Sequence, residues 1–215
     1  MQASTVESPP TRAGRKLEQV IAAAGRLFRQ HGFGATSMDL VASEADVSKA
    51  TLYAYFSSKR ELFAAVIAAD DDRHSRTLIS AVGVDADLHG ALLRIGRTIQ
   101  ELLLAPETVS SYRMVVGEAS RVRDLGRDYY ANGAAQLLGR LEEFFTTAMA
   151  DGQLRSAHPR RAAEQFIGLV RGDLMLRALL GVDARLTAAQ KDSVLSAGVD
   201  TFERAFRPDA RRGLA

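Results

Sequence analysis

The residues at 48–56 read SKATLYAYF, and their spacing sorts them into two faces of one short helix. Leu52 and Phe56 lie at i, i+4 and turn inward. Ser48, Lys49, Thr51, Tyr53 and Tyr55 are left facing out. The outward set holds hydroxyls, one ammonium and two phenols, with no carboxylate among them. A face of donors and flat aromatics without negative charge suits an edge of duplex DNA. The helix start adds a partial positive charge and free N–H groups that favour a nearby phosphate.

Other chemistry finds little support. Asp70 and His74 stand at i, i+4, a spacing that can hold a metal, but no further ligand accompanies them and an exposed charged segment is the simpler reading. His31, His89 and His158 fall beside loops or helix ends, without a serine or carboxylate constellation. Gly32-Phe33-Gly34 begins a G-x-G-x-x-G, yet Ser37 fills the last place and no strand precedes it. The chain has no cysteine, which removes disulfides, zinc-thiolate sites and thiol nucleophiles. No catalytic residue, metal or cofactor is expected. The rivals from other classes are a helical metal protein or small enzyme without DNA affinity, and a purely structural helical adaptor.

The elements that position this face are all helical. The first dozen residues are rich in Ser, Thr and Pro and read as a flexible arm over 1–14. Val20, Ile21, Ala24, Leu27 and Phe28 then line one helical side, and His31-Gly32 stops it. Ser37, Ser48 and Ser58 each precede a short apolar-periodic run, and Ser58 with Glu61 makes a capping box. Three starts so close together predict a compact helical unit over 15–64. Longer helices follow near Arg60–Leu78, Leu88–Leu104, Thr108–Val122, Leu125–Met149, Arg160–Leu180 and Ala188–Phe206, the last opened by a Thr187/Gln190 box. No run alternates with the period of a strand. The fold class is all-α, roughly nine helices, with a larger second unit over 65–215.

The arrangement resembles the DNA-binding domain of the TetR family of transcriptional regulators. The resemblance rests on residues 15–66, where the helix-turn-helix runs into Leu52-Tyr53-Ala54-Tyr55-Phe56 and then Ser58-Lys59-Arg60-Glu61-Leu62-Phe63. It implies that Lys49, Thr51, Tyr53 and Tyr55 approach bases and backbone in a major groove. It also implies that Thr36, Ser37, Ser48 and Lys59 hold phosphates. Three positions depart from the family pattern: Asp46 and Ala50 stand where Gly is frequent, and Ala54 where an aromatic is. Asp tolerates the left-handed turn conformation that glycine favours. The stretch Pro106–Gly181 is similar to the C-terminal domain of AefR-like members.

In that family the larger domain dimerises and encloses a small molecule, and the sequence gives its own hints of both. On a wheel of about 100° per residue, Ala163, Ile167, Val170 and Leu174 form one apolar band and Leu169, Leu176 and Leu180 another. Val194, Leu195, Gly198, Val199, Phe202 and Phe206 make a stripe on the last helix. Pairing of these two helices with their symmetry mates gives a four-helix dimer interface; an intramolecular core would show the same stripe. Tyr130, Leu141 and Phe144 share a side that lines either a ligand pocket or plain core, and Arg171 meets either an anionic ligand or solvent. The resemblance implies a regulator, most simply a repressor, that grips a palindromic duplex operator as a homodimer and is released by a small-molecule effector.

Charge and composition agree. Residues 1–64 hold 8 Lys+Arg against 6 Asp+Glu, leaving 20 of each elsewhere, so the net charge of +2 sits in the first third. No run approaches the roughly 18 apolar residues of a membrane span. No signal-like stretch opens the chain. A cytoplasmic location without membrane contact is expected.

Overall fold

In the computed structural model, which describes residues 12–69, 87–182 and 186–208, every regular element is helical and no strand occurs among these residues. The chain separates into two compact units, Met1–Ala69 and Asp70–Ala215. The Asp70/His74 pair and the second half of the expected Arg60–Leu78 helix lie outside the described residues.

Gly32 shapes the first unit. Helix α1 (Arg12–Ala35) is kinked there, with φ 83° and ψ 164°, a conformation that only glycine adopts without strain. The kink folds Phe33 back onto Phe28, ring centroids 5.6 Å apart, and Phe63 meets both edge-on at 5.5 and 5.4 Å. Helix α2 (Met38–Glu44) is capped by the Ser37 hydroxyl, and α3 (Lys49–Tyr55) by that of Ser48. Between them Asp46 takes the left-handed conformation at φ 51°, and Val47 N–H bonds back to the Ala42 carbonyl at 3.0 Å. Helix α4 covers 59–69. Its Glu61 N–H bonds the Ser58 hydroxyl, but the Glu61 carboxylate reaches one residue further than a capping box requires, accepting from Ser57 N–H and Oγ, both at 2.7 Å.

The second unit contains α5 (Leu88–Leu104), α6 (Pro106–Glu118), α7 (Leu125–Asn132), α8 (Ala134–Ala150), α9 (Pro159–Arg171), α10 (Leu174–Leu180) and α11 (Ala188–Phe206). Helices α5, α8, α9 and α11 enclose one core, in which Phe145, Phe166, Phe202 and Phe206 stack with Leu92, Ile95, Ile99 and Leu141. The expected capping box of Thr187 and Gln190 is complete.

Two expected long helices are each two. Leu125–Met149 breaks at Gly133, and Arg160–Leu180 breaks at Gly172, whose φ of 50° ends α9. A side chain at Gly172 would also lie 2.9 Å from Val194 Cγ1. The break leaves the Val170 carbonyl in need of a donor, and the buried Gln100 amide of α5 supplies it at 2.8 Å while also bonding the Lys191 carbonyl of α11 at 3.1 Å.

The apolar stripe of α11 faces this core, so it is not a free dimer surface. Leu195, Gly198, Val199, Phe202 and Phe206 are all buried within a single copy, and Val194 is half-buried. Gly198 does permit close approach, but to α9 of its own chain, where an added Cβ would stand 2.8 Å from the Leu169 oxygen. The intramolecular reading of that stripe holds. Leu169 packs at the core margin, while Leu176 and Leu180 stay exposed.

Candidate nucleic-acid interface

Helix α3 is anchored by Leu52 within it and Phe56 at its C-terminal end, and is exposed along part of its girth. Leu52 and Phe56 are buried, as their spacing predicts, and Leu52 has no accessible surface. Tyr53 is 52% exposed, and Ser48, Lys49 and Ala54 are exposed with it; Thr51 and Tyr55 are half-buried. The Ser48 hydroxyl accepts from Thr51 N–H at 3.0 Å and shares a hydrogen with the Thr51 hydroxyl at 2.8 Å. Lys49 Nζ lies 2.6 Å from Asp39 Oδ2, an acid on α2. Ser37 is exposed and its hydroxyl accepts from Leu40 N–H. Leu40 of α2 is 40% exposed.

Two expected phosphate contacts have other employment. Thr36 is buried, and its hydroxyl lies within bonding distance of the Gly32 carbonyl at 2.8 Å and that of Leu27 at 3.2 Å. It closes the kink of α1 and presents nothing to a phosphate. Lys59 donates to the carbonyls of Phe33, Gly34 and Thr36 at 2.7, 3.2 and 2.8 Å, its ammonium 4.6 Å from the Phe33 ring centroid. An ammonium has three protons. Those of Lys59 are directed at the α1–α2 connection. Nearby, hydrogen bonds from the Ser57 hydroxyl and backbone hold the Glu61 carboxyl below its ordinary pKa.

The acids of α2 have partners that escape a linear reading. Asp39 meets Lys49 across the turn, and Glu44 of α2 meets Arg26 of α1 at 3.0 Å. These partners stand 10 and 18 positions apart, separations set by tertiary folding and by no helical period.

The four residues suggested for a small ligand are dispersed in character. Tyr130 is 52% exposed on α7, Leu141 belongs to the core, Phe144 packs against that core beside Phe145, and Arg171 is exposed at the end of α9. His89, expected to recruit no carboxylate, does recruit one: Nδ1 lies 2.9 Å from Glu203 Oε2, across 114 positions. The hydrogen bond to Glu203 is the main cause that raises the imidazole pKa above its ordinary value, with the charges of Glu203, Asp200 and Asp87 adding to it and desolvation opposing. His89, Asp200 and Glu203 bring one ligand atom each within 4.8 Å of one another, a largely exposed set in which a histidine and two carboxylates tie α5 to α11. Among the described residues, no helix is long and apolar enough to cross a membrane.

Comparison with known proteins places these features in company. Residues 20–66 match the model for "Bacterial regulatory proteins, tetR family", and residues 90–208 match "AefR-like transcriptional repressor, C-terminal domain". The structure of the Flavonoid-responsive Regulator FrrA is 39% identical over 92% of this chain and 100% of its own, with a TM-score of 0.77. A TetR family transcriptional regulator from Pseudomonas syringae pv. tomato str. DC3000 is 26% identical over 91% of this chain and 98% of its own, with a TM-score of 0.68. The HTH-type transcriptional activator FasR of Mycolicibacterium smegmatis (strain ATCC 700084 / mc(2)155) is 44% identical over 64 residues, 30% of this chain and 27% of that protein. The chain thus spans about a quarter of the length of the curated relatives it matches.

Proposed function

Because the chain belongs to the TetR family of transcriptional regulators, we propose that it represses transcription from a palindromic operator and is released by a small-molecule effector. Regulators of this family bind DNA operators and act as dimers. The observation that carries the DNA-binding reading is α3 itself. Leu52 and Phe56 fasten it from below, and Tyr53, Lys49 and Ser48 are left on solvent with no carboxylate on the same helix. Ser37, Ser48, Lys49, Thr51, Tyr53 and Tyr55 form the proposed contact set, Thr36 and Lys59 acting behind it as supports. A dimer sets two such helices about 34 Å apart, one turn of the duplex. An effector that binds better to a dimer of another spacing draws the population away from DNA.

Repression is the sign we assign because the second unit matches a repressor domain. The similarity to FrrA makes flavonoids the first effector class to try. Tyr130, Phe144 and Arg171, with Leu141 behind them, remain the residues proposed to meet it.

The test is selection of bound fragments from the source genome, followed by titration of the enriched duplex at several salt concentrations. Affinity should fall steeply with salt. Tyr53→Ala should weaken it by about tenfold, the effect of one good groove contact. Absence of any duplex binding at low salt, or a Tyr53→Ala protein that binds as the parent does, overturns the reading.

A further inference from the structure

Helix α3 carries a single ammonium, and an acid from the neighbouring helix holds it. Asp39 Oδ2 lies 2.6 Å from Lys49 Nζ, with both side chains mostly exposed. The tight turn through Asp46 brings the first turn of α2 across to the first turn of α3. The other acid of α2, Glu44, is paired with Arg26 of α1 and not with α3. Of two carboxylates on one helix, one alone is joined to the proposed reading helix.

The consequence follows from what each kind of DNA contact needs. Attraction to phosphate depends on net charge and is blind to sequence. A bond to a base edge depends on a donor held in the right direction. Bonded to Asp39, Lys49 has its charge offset yet keeps two further N–H donors, now held in place. We infer that Asp39 is a specificity-determining residue, which lowers affinity for arbitrary DNA through Lys49 and so widens the margin between operator and other sequence. The inference rests on the DNA-binding reading above. An exposed pair of this kind is weak, so the effects expected of it are a few-fold.

The experiment uses the full chain as parent, Asp39→Asn, Glu44→Gln, Lys49→Ala and the Asp39→Asn/Lys49→Ala double variant. Each is titrated with the genome-selected duplex and with a scrambled duplex of equal length and composition, across a salt series. Asp39→Asn should tighten binding to the scrambled duplex about threefold and leave the selected duplex within about twofold, so that discrimination falls. On scrambled DNA its plot of log affinity against log salt should steepen by about one per protomer. Glu44→Gln removes the same charge away from Lys49 and should leave discrimination unchanged. In the Lys49→Ala background Asp39→Asn should have no effect. The inference is overturned if Asp39→Asn leaves discrimination unchanged or raises it, if Glu44→Gln does the same as Asp39→Asn, or if the Asp39 effect survives without Lys49. A parent protein that binds neither duplex defeats the DNA-binding reading itself; a parent that binds and discriminates as Asp39→Asn does defeats only the role of Asp39.

Discussion

Lys59 shows how one side chain can have the right type for a role and be engaged elsewhere. Its motif and its charge both suit a phosphate, but its ammonium is turned to the carbonyls of Phe33, Gly34 and Thr36. Those carbonyls surround the Gly32 kink, where α1 no longer supplies donors to its last turn. Lys59→Met should therefore lower stability by about 1–3 kcal/mol, since it leaves partly buried carbonyls without a partner. Chemical denaturation measures that loss. The salt dependence of DNA binding in the same variant should stay as in the parent, whereas a lost phosphate contact would flatten it by about one. Ser37, Ser48 and the Thr187/Gln190 pair were legible in the sequence because a cap is made within three or four residues. Lys59, Thr36 and Asp39 were not, because their partners lie up to 26 positions away and no period marks them.

At the scale of elements, hydrophobic spacing told which face of a helix is covered but was silent on what covers it. The stripe of α11 is the plain instance. Its members are buried, as the pattern requires, yet against α5 and α9 of the same chain rather than a second copy. Gly198 marks a close crossing, since a Cβ added there would stand 2.8 Å from the Leu169 oxygen. Gly198→Ala should destabilise by about 1–3 kcal/mol, because the new methyl would meet a rigid carbonyl and not a movable side-chain tip; a thermal melt unchanged within error would show that α9 and α11 separate easily. Glycine also divides two stretches whose spacing predicts single long helices. Gly133 and Gly172 lie in otherwise helical sequence, where an isolated glycine is tolerated at a cost of about 1 kcal/mol and does not by itself mark a break. Gly172 is decided by the crowding of Val194 and by Gln100, both of them distant in sequence.

For the whole molecule, the question is where two copies meet once the α11 stripe is accounted for. Leu176 and Leu180 of α10 are 58% and 69% exposed, and Val116 of α6 and Val182 are exposed as well. Helices α6 and α10 pack together, and Arg113 of α6 bonds the Ala178 and Leu179 carbonyls at the end of α10. Apolar side chains on so firmly held a surface fit the self-complementary face of a twofold dimer. Leu180→Glu should shift the protein toward monomer in sedimentation and weaken operator binding by about tenfold or more, because two half-sites would no longer be held at once. A Leu180→Glu protein that sediments as the parent does would move the interface elsewhere. The all-α class was readable from caps and spacing, since it depends on local signals repeated many times over. The spacing marked the band of Leu176 and Leu180 and the stripe of α11 alike as apolar, but nothing local told which of them the chain itself covers.

Gln100 has a wider effect than its size suggests. One amide on α5 grips carbonyls of both α9 and α11, so separating either helix from α5 breaks a bond to Gln100. This bundle should come apart in a single concerted event, and a lesion in any one helix is shared by its neighbours.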